Sequence, residues 1–191
     1  NIQNYCLDFQ AAGVTRNGAF AQYVAVPEAN VFEIGDMDFN TAVMAEPLAC
    51  VVYGHQRMRP SIGGNVLIFG AGPIGLLHLQ LARLNGAAET AVVDVKPERL
   101  VLAQSLGADH VLLNGDLLHQ QLSSIAPYGF ESVIDSTGVP GVVEGSIKYV
   151  RNAGNLLIFG VCPRESKIEI SPYEIYKRDI NIAGSFALKK T

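Results

Sequence analysis

Residues 65–75, NVLIFGAGPIG, join an apolar strand to a helix through a glycine-rich turn. The spacing Gly-x-Gly-x-x-Gly predicts a dinucleotide-binding turn, because each glycine meets a different steric demand. Gly70 lets the chain turn sharply, Gly72 leaves room for a pyrophosphate beside the backbone, and Gly75 lets the helix pack closely on the sheet. The helix expected over 73–84 would direct free N–H groups and a partial positive charge at the phosphates. Similar turns also occur in methyltransferases and in loops without a ligand.

An acidic residue ends the next predicted strand. Residues 90–93 are largely apolar, and Asp94 follows nineteen residues after the last glycine of the motif. Its carboxylate can accept hydrogen bonds from the adenosine ribose hydroxyls, although it could also be an ordinary turn residue. It would repel the additional phosphate of NADP, and no arginine follows it directly, so we predict NAD as the cofactor. Lys96 and Arg99 are the cations within reach of a phosphate there.

The composition excludes several classes of function. The 191 residues are 49% hydrophobic and 17% charged with a net charge of −4, which predicts a globular, soluble protein with one full core. No block of lysine and arginine suggests a nucleic acid partner. No apolar run approaches the roughly 18 residues of a membrane span, and no signal peptide is visible, so we expect a cytoplasmic protein without membrane contact. Cys6, Cys50 and Cys162 are too widely spaced for a disulfide framework and fit reduced thiols or metal ligation better.

From residue 65 onward, short apolar strands alternate with helical patterns. We expect strands at 65–69, 90–93, 110–113, 132–135, 155–159 and 180–183, and helices at 73–84, 97–105, 116–125 and 139–150. This order predicts an α/β fold, a doubly wound parallel six-stranded sheet of the Rossmann type. Residues 18–34 do not show this alternation of strands and helices, and they are expected to be β-rich.

Ligands of such sheets bind beyond the carboxyl ends of the strands. The turns expected there carry the glycine motif, Asp94, and two small-residue segments that contain Thr137 and Gly138, and Gly160 and Val161. Two interpretations are open: small residues leave room for a flat ring, or they only form the turns.

A carboxylate stands where the two regions meet. Residues 40–59 form a helical stretch in which Pro47 suits the first helical position, so Glu46 should lie at a break. Glu46 could ligate a metal, act as a base, or cap the helix.

Five motifs in this order resemble the zinc-dependent medium-chain dehydrogenase/reductase family. They are N-x-C, G-x-F-A-x-Y-V-x-V-P, A-E-P-L-A-C, G-A-G-P-I-G and D-x-x-x-E-R-L. The A-E-P-L-A-C segment resembles the polyol branch, with sorbitol, xylitol and arabinitol dehydrogenases, and the related threonine dehydrogenases. The resemblance implies part of a GroES-like catalytic domain at 1–45, an NAD-binding Rossmann domain at 46–184 and a return to the catalytic domain at 185–191. We therefore expect an internal piece of a longer enzyme.

The resemblance also implies roles for individual residues. Glu46 matches the carboxylate that approaches the catalytic zinc, directly or through its water, and Cys6 matches the last of four cysteines that hold a structural zinc. Residues that match cofactor contacts are Gly70, Gly72, Pro73 and Ile74 at the pyrophosphate, Asp94 at the adenosine ribose, and Thr137, Gly138, Gly160, Val161, Ser185 and Phe186 at the nicotinamide half. Gly75 and Arg99 are further candidate cofactor-binding residues.

The implied activity is hydride transfer between a secondary alcohol, such as a polyol, and NAD in a zinc-dependent homodimer or homotetramer. This piece alone is expected to be inactive. Two alternatives remain: a zinc-free reductase of the same superfamily, and a dinucleotide-binding module without catalysis.

Overall fold

Six short apolar segments form one parallel sheet in the computed structural model, which describes residues 3–188. The strands are β1 Asn65–Phe69, β2 Glu89–Asp94, β3 His110–Leu113, β4 Phe130–Asp135, β5 Val150–Ile158 and β6 Asn181–Gly184. Their order is β3-β2-β1-β4-β5-β6, and every neighbouring pair is parallel. The chain winds outward from β1 to β3 and then crosses back to β4, so the switch point lies between β1 and β4. The predicted doubly wound α/β sheet is confirmed.

Seven helices accompany the sheet in the described residues. They are α1 Phe39–Ala42, α2 Ala45–Met58, α3 Pro73–Leu84, α4 Pro97–Ser105, α5 Leu118–Ile125, α6 Pro140–Ser146 and α7 Pro172–Arg178. Proline stands at the start of α3, α4, α6 and α7, where its fixed φ suits the helix and its missing N–H costs no hydrogen bond. No helix within residues 3–188 has the length and apolar character that a bilayer crossing requires.

The core lies on both faces of the sheet, because successive side chains of a strand point to opposite sides. In β1, Leu67 faces a cluster that includes Leu122 of α5, whereas Ile68 faces a cluster that includes Leu79 of α3. Leu67 and Ile68 are fully buried. Both layers of helices are therefore needed to cover the sheet, as expected for parallel strands.

Three local predictions differ from the structure. The helix α2 begins at Ala45 rather than at Pro47, since a proline anywhere in the first turn lacks only an N–H that has no intrahelical partner. The helix expected over 139–150 ends at Ser146, a 3₁₀ turn follows over Ile147–Tyr149, and β5 starts directly after it. The sequence pattern also did not predict α7.

The β structure expected in residues 18–34 is not present as strands. Before α1, the described residues contain one isolated bridge, Ala12 to Arg16, and two short 3₁₀ turns, Gln3–Tyr5 and Glu28–Asn30. A strand needs a neighbouring strand for its backbone hydrogen bonds, and no strand of the described residues includes any part of this segment. Apolar side chains such as Phe20 and Tyr23 consequently remain exposed.

Two buried histidines join α2 to α3. His55 Nε2 and His78 Nδ1 are 3.2 Å apart, the rings stack with centroids 5.3 Å apart, and the edge of Phe159 packs on His78. Burial lowers the pKa of His55 to about 4, and burial together with the charge of His55 lowers that of His78 to about 3. Both rings are therefore neutral at pH 7.

This pair should make the fold sensitive to acid. Unfolded histidines have a pKa near about 6.5, so between that pH and about 4 the unfolded chain binds protons that the folded chain does not. The free energy of unfolding should fall with decreasing pH by up to about 1.4 kcal/mol per pH unit for each ring. Urea unfolding at several pH values measures this slope. It should decrease in His78→Phe, and an unchanged slope in that variant would contradict the assignment.

Candidate functional site

The glycine turn after β1 lies tightly against α3 but is open beside Gly72. Gly70 has a φ of +99° and donates its N–H to the Val93 carbonyl at 2.8 Å. A Cβ on Gly75 would overlap the Gly70 carbonyl oxygen, whereas a Cβ on Gly72 would have nothing within 4 Å. The glycines thus have the steric surroundings that the motif predicts, and the open space lies where a pyrophosphate is expected.

The N-terminus of α3 faces this turn without a side-chain cap. Gly72 is the N-cap residue, Pro73 occupies the first turn, and no side chain accepts a hydrogen bond there. The N–H groups of the first turn, including that of Ile74, are the donors that a helix offers to an anion. Their position next to the space beside Gly72 makes the two features one candidate phosphate site.

Asp94 links the glycine turn to the turn after β2. Its side chain is buried, with 6% of the residue exposed. Oδ2 accepts the Ala71 N–H at 2.7 Å, Oδ1 accepts the Lys96 N–H at 2.9 Å, and Arg99 Nη1 is 3.6 Å from Oδ2. Each carboxylate oxygen keeps a second lone pair, so Asp94 can still accept a hydroxyl hydrogen. The structural role of Asp94 between two turns was not foreseen from the sequence.

The turn after β4 is organised by Asp135, whose role the sequence pattern did not indicate, and by Ser136, which belongs to the small-residue turn expected there. Asp135 is completely buried; its Oδ1 accepts the Thr137 N–H at 3.0 Å and the Thr137 hydroxyl at 2.5 Å, and its Oδ2 accepts the Gly138 N–H at 3.3 Å. Ser136 Oγ donates to the Phe69 carbonyl at 2.7 Å. The signal was an acidic residue at the end of an apolar strand, followed by Ser-Thr-Gly.

The turns after β4 and β5 are packed against each other. Gly138 has a φ of +66°, and a Cβ on it would lie 2.5 Å from the Val161 carbonyl oxygen. A Cβ on Gly160 would overlap the Gly138 nitrogen. Val161 itself is 93% exposed, so its side chain is free to contact a ligand above the turn.

Ser185 and Phe186 follow β6 at the same edge of the sheet. The Ser185 N–H donates to the Ile158 carbonyl at 3.4 Å, and Ser185 Oγ is buried without a hydrogen-bond partner in the described residues. Phe186 is half exposed and lies edge-on to Phe9, with ring centroids 5.7 Å apart. The predicted cofactor residues therefore gather along the carboxyl edge of the sheet.

Glu46 is exposed in the first turn of α2. Cys50 Sγ donates a hydrogen bond to Glu46 Oε1 at 3.4 Å. Burial, followed by the charge of Glu46, raises the pKa of the Cys50 thiol to about 11. The N-cap residue of α2, Met44, makes no side-chain cap, and the contact of Glu46 with Cys50 is not a capping contact.

The described residues do not fit a zinc ion by themselves. Within 3–188 no group of three or more histidine, cysteine, aspartate and glutamate side chains could hold a metal. A catalytic zinc needs about three protein ligands and a structural one four. Among the described residues, Glu46 has one potential metal ligand bonded to it, the Cys50 thiol. Cys6 is an exposed free thiol.

Comparison with known proteins agrees with this geometry. Residues 73–191 match the family model described as zinc-binding dehydrogenase. The chain is 39% identical to D-arabinitol dehydrogenase 1 of Uromyces fabae over 96% of its length and 36% identical to D-altritol 5-dehydrogenase of Agrobacterium fabrum over 99%. A crystal structure named as a zinc-binding dehydrogenase of Sinorhizobium meliloti, bound to NADP, superimposes with a TM-score of 0.90 at 34% identity, covering 97% of this chain and 56% of that one.

The chain spans about half the length of the curated relatives, 54% and 56% of the two polyol dehydrogenases. The family model covers the glycine-motif helix and everything after it, while the two relatives also match the segment that contains Glu46. On both grounds, the chain belongs to the zinc-binding dehydrogenase family.

Proposed function

We propose that this chain is part of an NAD-dependent and zinc-dependent oxidoreductase that transfers a hydride between a secondary alcohol, of the polyol type, and nicotinamide. The single observation that carries the cofactor half is the open, uncapped N-terminus of α3 beside Gly72, with Asp94 fixed at its side. The two polyol dehydrogenases among the relatives support the substrate class. The free thiols of Cys6, Cys50 and Cys162 agree with the cytoplasmic location expected from the sequence.

NAD would supply the hydride acceptor of this reaction. Gly72 and Ile74 would present backbone to the pyrophosphate, and Asp94 would accept the adenosine ribose hydroxyls. Val161 and Phe186, both exposed beyond the strand ends, would line the nicotinamide half and exclude water from it. The other predicted cofactor residues shape this surface: Gly70, Pro73, Gly75, Arg99, Thr137, Gly138, Gly160 and Ser185.

For the complete enzyme, we propose that Glu46 approaches the catalytic zinc, directly or through its water, and that Cys6 contributes to a structural zinc site. Zinc chemistry polarises an alcohol oxygen and lowers its pKa. The remaining ligands would come from outside residues 3–188, because the described residues contain no metal-binding group.

Asp94 should set the choice of cofactor. The chain is expected to bind NADH at least about tenfold more tightly than NADPH, because a buried carboxylate repels a phosphate on the ribose. Asp94→Ala should narrow that ratio, and calorimetric titration with both nucleotides measures it. Glu98→Ala, which also removes a carboxylate but from an exposed position in the first turn of α4, is the control and should leave the ratio nearly unchanged. Equal affinities in the unmutated chain would contradict the assignment of NAD.

A module that binds a dinucleotide without catalysis is the second candidate for the chain by itself, and the lack of a metal-binding group within residues 3–188 favours it. Assays of NADH binding and alcohol oxidation by the chain test it directly. A zinc-free reductase is tested by metal analysis of the complete protein.

The outer edge of β6 should pair with a second copy. β6 bonds to β5 on one side, and Ile182 on this edge strand is 37% exposed. Unpaired edge strands favour association, so we expect a homodimer or homotetramer by sedimentation velocity. Ile182→Lys should shift the protein toward monomer, whereas Leu113→Lys on the opposite edge strand, β3, should not. A monomer at high concentration would contradict this proposal.

A further inference from the structure

Asp135 is a completely buried carboxylate without an ion-pair partner among residues 3–188. A buried charge is costly unless hydrogen bonds satisfy it. Here the bonds come from the turn that follows: the N–H and hydroxyl of Thr137 and the N–H of Gly138. The chain thus keeps an expensive group at the end of the central strand β4, in direct contact with the turn beside the candidate cofactor surface.

The same residue also fixes the neighbouring turn. The backbone carbonyl of Asp135 accepts the N–H groups of Phe159 and Gly160 at 3.0 and 2.9 Å. Its Oδ2 lies so close to Gly160 that a Cβ there would be 2.8 Å away. Asp135 therefore contacts both turns, the first through its carboxylate and the second through its backbone carbonyl, and the exposed side chain of Val161 follows directly on the second.

The hydroxyl of Thr137 is fully engaged within this cluster. Its hydrogen is donated to Asp135 Oδ1, and its oxygen accepts the Val139 N–H at 3.1 Å. A hydroxyl has one hydrogen to donate, so Thr137 has none left for a ligand. What this turn can offer a cofactor is the shape of its backbone.

We propose that Asp135 is a positioning residue for the nicotinamide half of the cofactor. It holds the turns at Thr137–Gly138 and Gly160–Val161 as one surface and acts through them, without touching the cofactor itself. This inference rests on the proposed function, since it presumes that a nicotinamide dinucleotide binds along this edge.

The test compares NADH with ADP-ribose, which carries the adenosine and the pyrophosphate but lacks the nicotinamide. Asp135→Asn replaces one carboxylate oxygen with an amide NH₂ group. That group would face an N–H of Thr137 or Gly138, from which the oxygen now accepts a hydrogen bond. Thr137→Val removes only the hydroxyl, and Thr137→Ser restores it. Both Asp135→Asn and Thr137→Val should weaken NADH binding about tenfold, because a buried polar group loses its partner, while ADP-ribose affinity stays within about twofold. The fluorescence of bound NADH, which responds to the surroundings of the ring, should change in the same two variants and recover in Thr137→Ser.

Asp109 supplies a matched control at the opposite end of the sheet. Its Oδ2 accepts the N–H and the hydroxyl of Thr90 at 2.8 and 2.7 Å, as Asp135 Oδ1 does with Thr137, but Asp109 is exposed and paired with Arg83. Asp109→Asn should lower stability without separating the affinities of the two nucleotides.

Equal losses for NADH and ADP-ribose, or no loss for either, would overturn the proposal. So would equal affinities of the two compounds in the unmutated chain, because the nicotinamide would then have no site. If both variants failed to fold, the cluster would serve the fold alone and the proposal would be wrong. Failure of the unmutated chain to bind either compound would instead contradict the proposed function.

Discussion

Gly75→Ala is expected to lower the free energy of unfolding by about 3 kcal/mol or more and to abolish NADH binding. The added Cβ would overlap the Gly70 carbonyl oxygen and would lie 2.9 Å from Ser136 Oγ. Neither neighbour can withdraw easily, because Gly70 is backbone and Ser136 is bonded to Phe69. The helix α3 would have to move away from β1, and the fully buried Leu79 would lose packing. Urea unfolding and NADH titration measure the two effects.

Alanine substitutions at two other glycines distinguish an effect on packing from an effect on NADH binding. Gly145 in α6 has nothing within 4 Å of its would-be Cβ, so Gly145→Ala should keep or raise stability by up to about 1 kcal/mol. Gly72 is equally open and has a φ of −73°. Gly72→Ala should therefore fold normally and still weaken NADH binding, because its methyl group would occupy the proposed phosphate space. A stable, NADH-binding Gly75→Ala variant would disprove the close-packing role of Gly75.

The features that sequence predicted best are those that depend on local chemistry. The β1 strand, the glycine turn and α3 follow from an apolar run, a glycine spacing and a helical period within one segment. By contrast, α7 buries none of its residues and therefore carries no apolar period. The segment 18–34 has β-forming residues but contains no strand in the described structure, and strand pairing is a non-local property.

The candidate site shows the same division. Gly70, Gly72 and Asp94 could be predicted as candidates from the sequence, because they belong to one motif of fixed spacing. Asp135 could not, because its importance arises from contacts between turns that are separated along the chain, such as its bond to Gly160. The hydrogen bond that the Ala71 N–H donates to Asp94 likewise joins two turns, and only the structure shows it.

Glu46→Ala in the complete enzyme should lower turnover by about 10- to 100-fold or more while NADH affinity stays nearly unchanged. The carboxylate is exposed in α2, and its hydrogen bond comes from Cys50, not from the glycine turn. Removing it should therefore leave the phosphate and ribose contacts intact. Steady-state kinetics, NADH titration and zinc analysis of the same preparation give the three quantities. The zinc content should fall if Glu46 is a direct ligand and stay constant if it acts through water.

Glu98 is the matched control for this substitution, since it is also an exposed acidic residue in the first turn of a helix, α4. Any effect of losing a negative charge near a helix N-terminus should be shared by Glu98→Ala, at about 0.3–1 kcal/mol of stability. An effect on turnover should appear in Glu46→Ala alone. Intact turnover in Glu46→Ala would remove Glu46 from the zinc site. Loss of NADH binding as well would show damage to folding where α2 joins the sheet, and the assignment to zinc would lose its support.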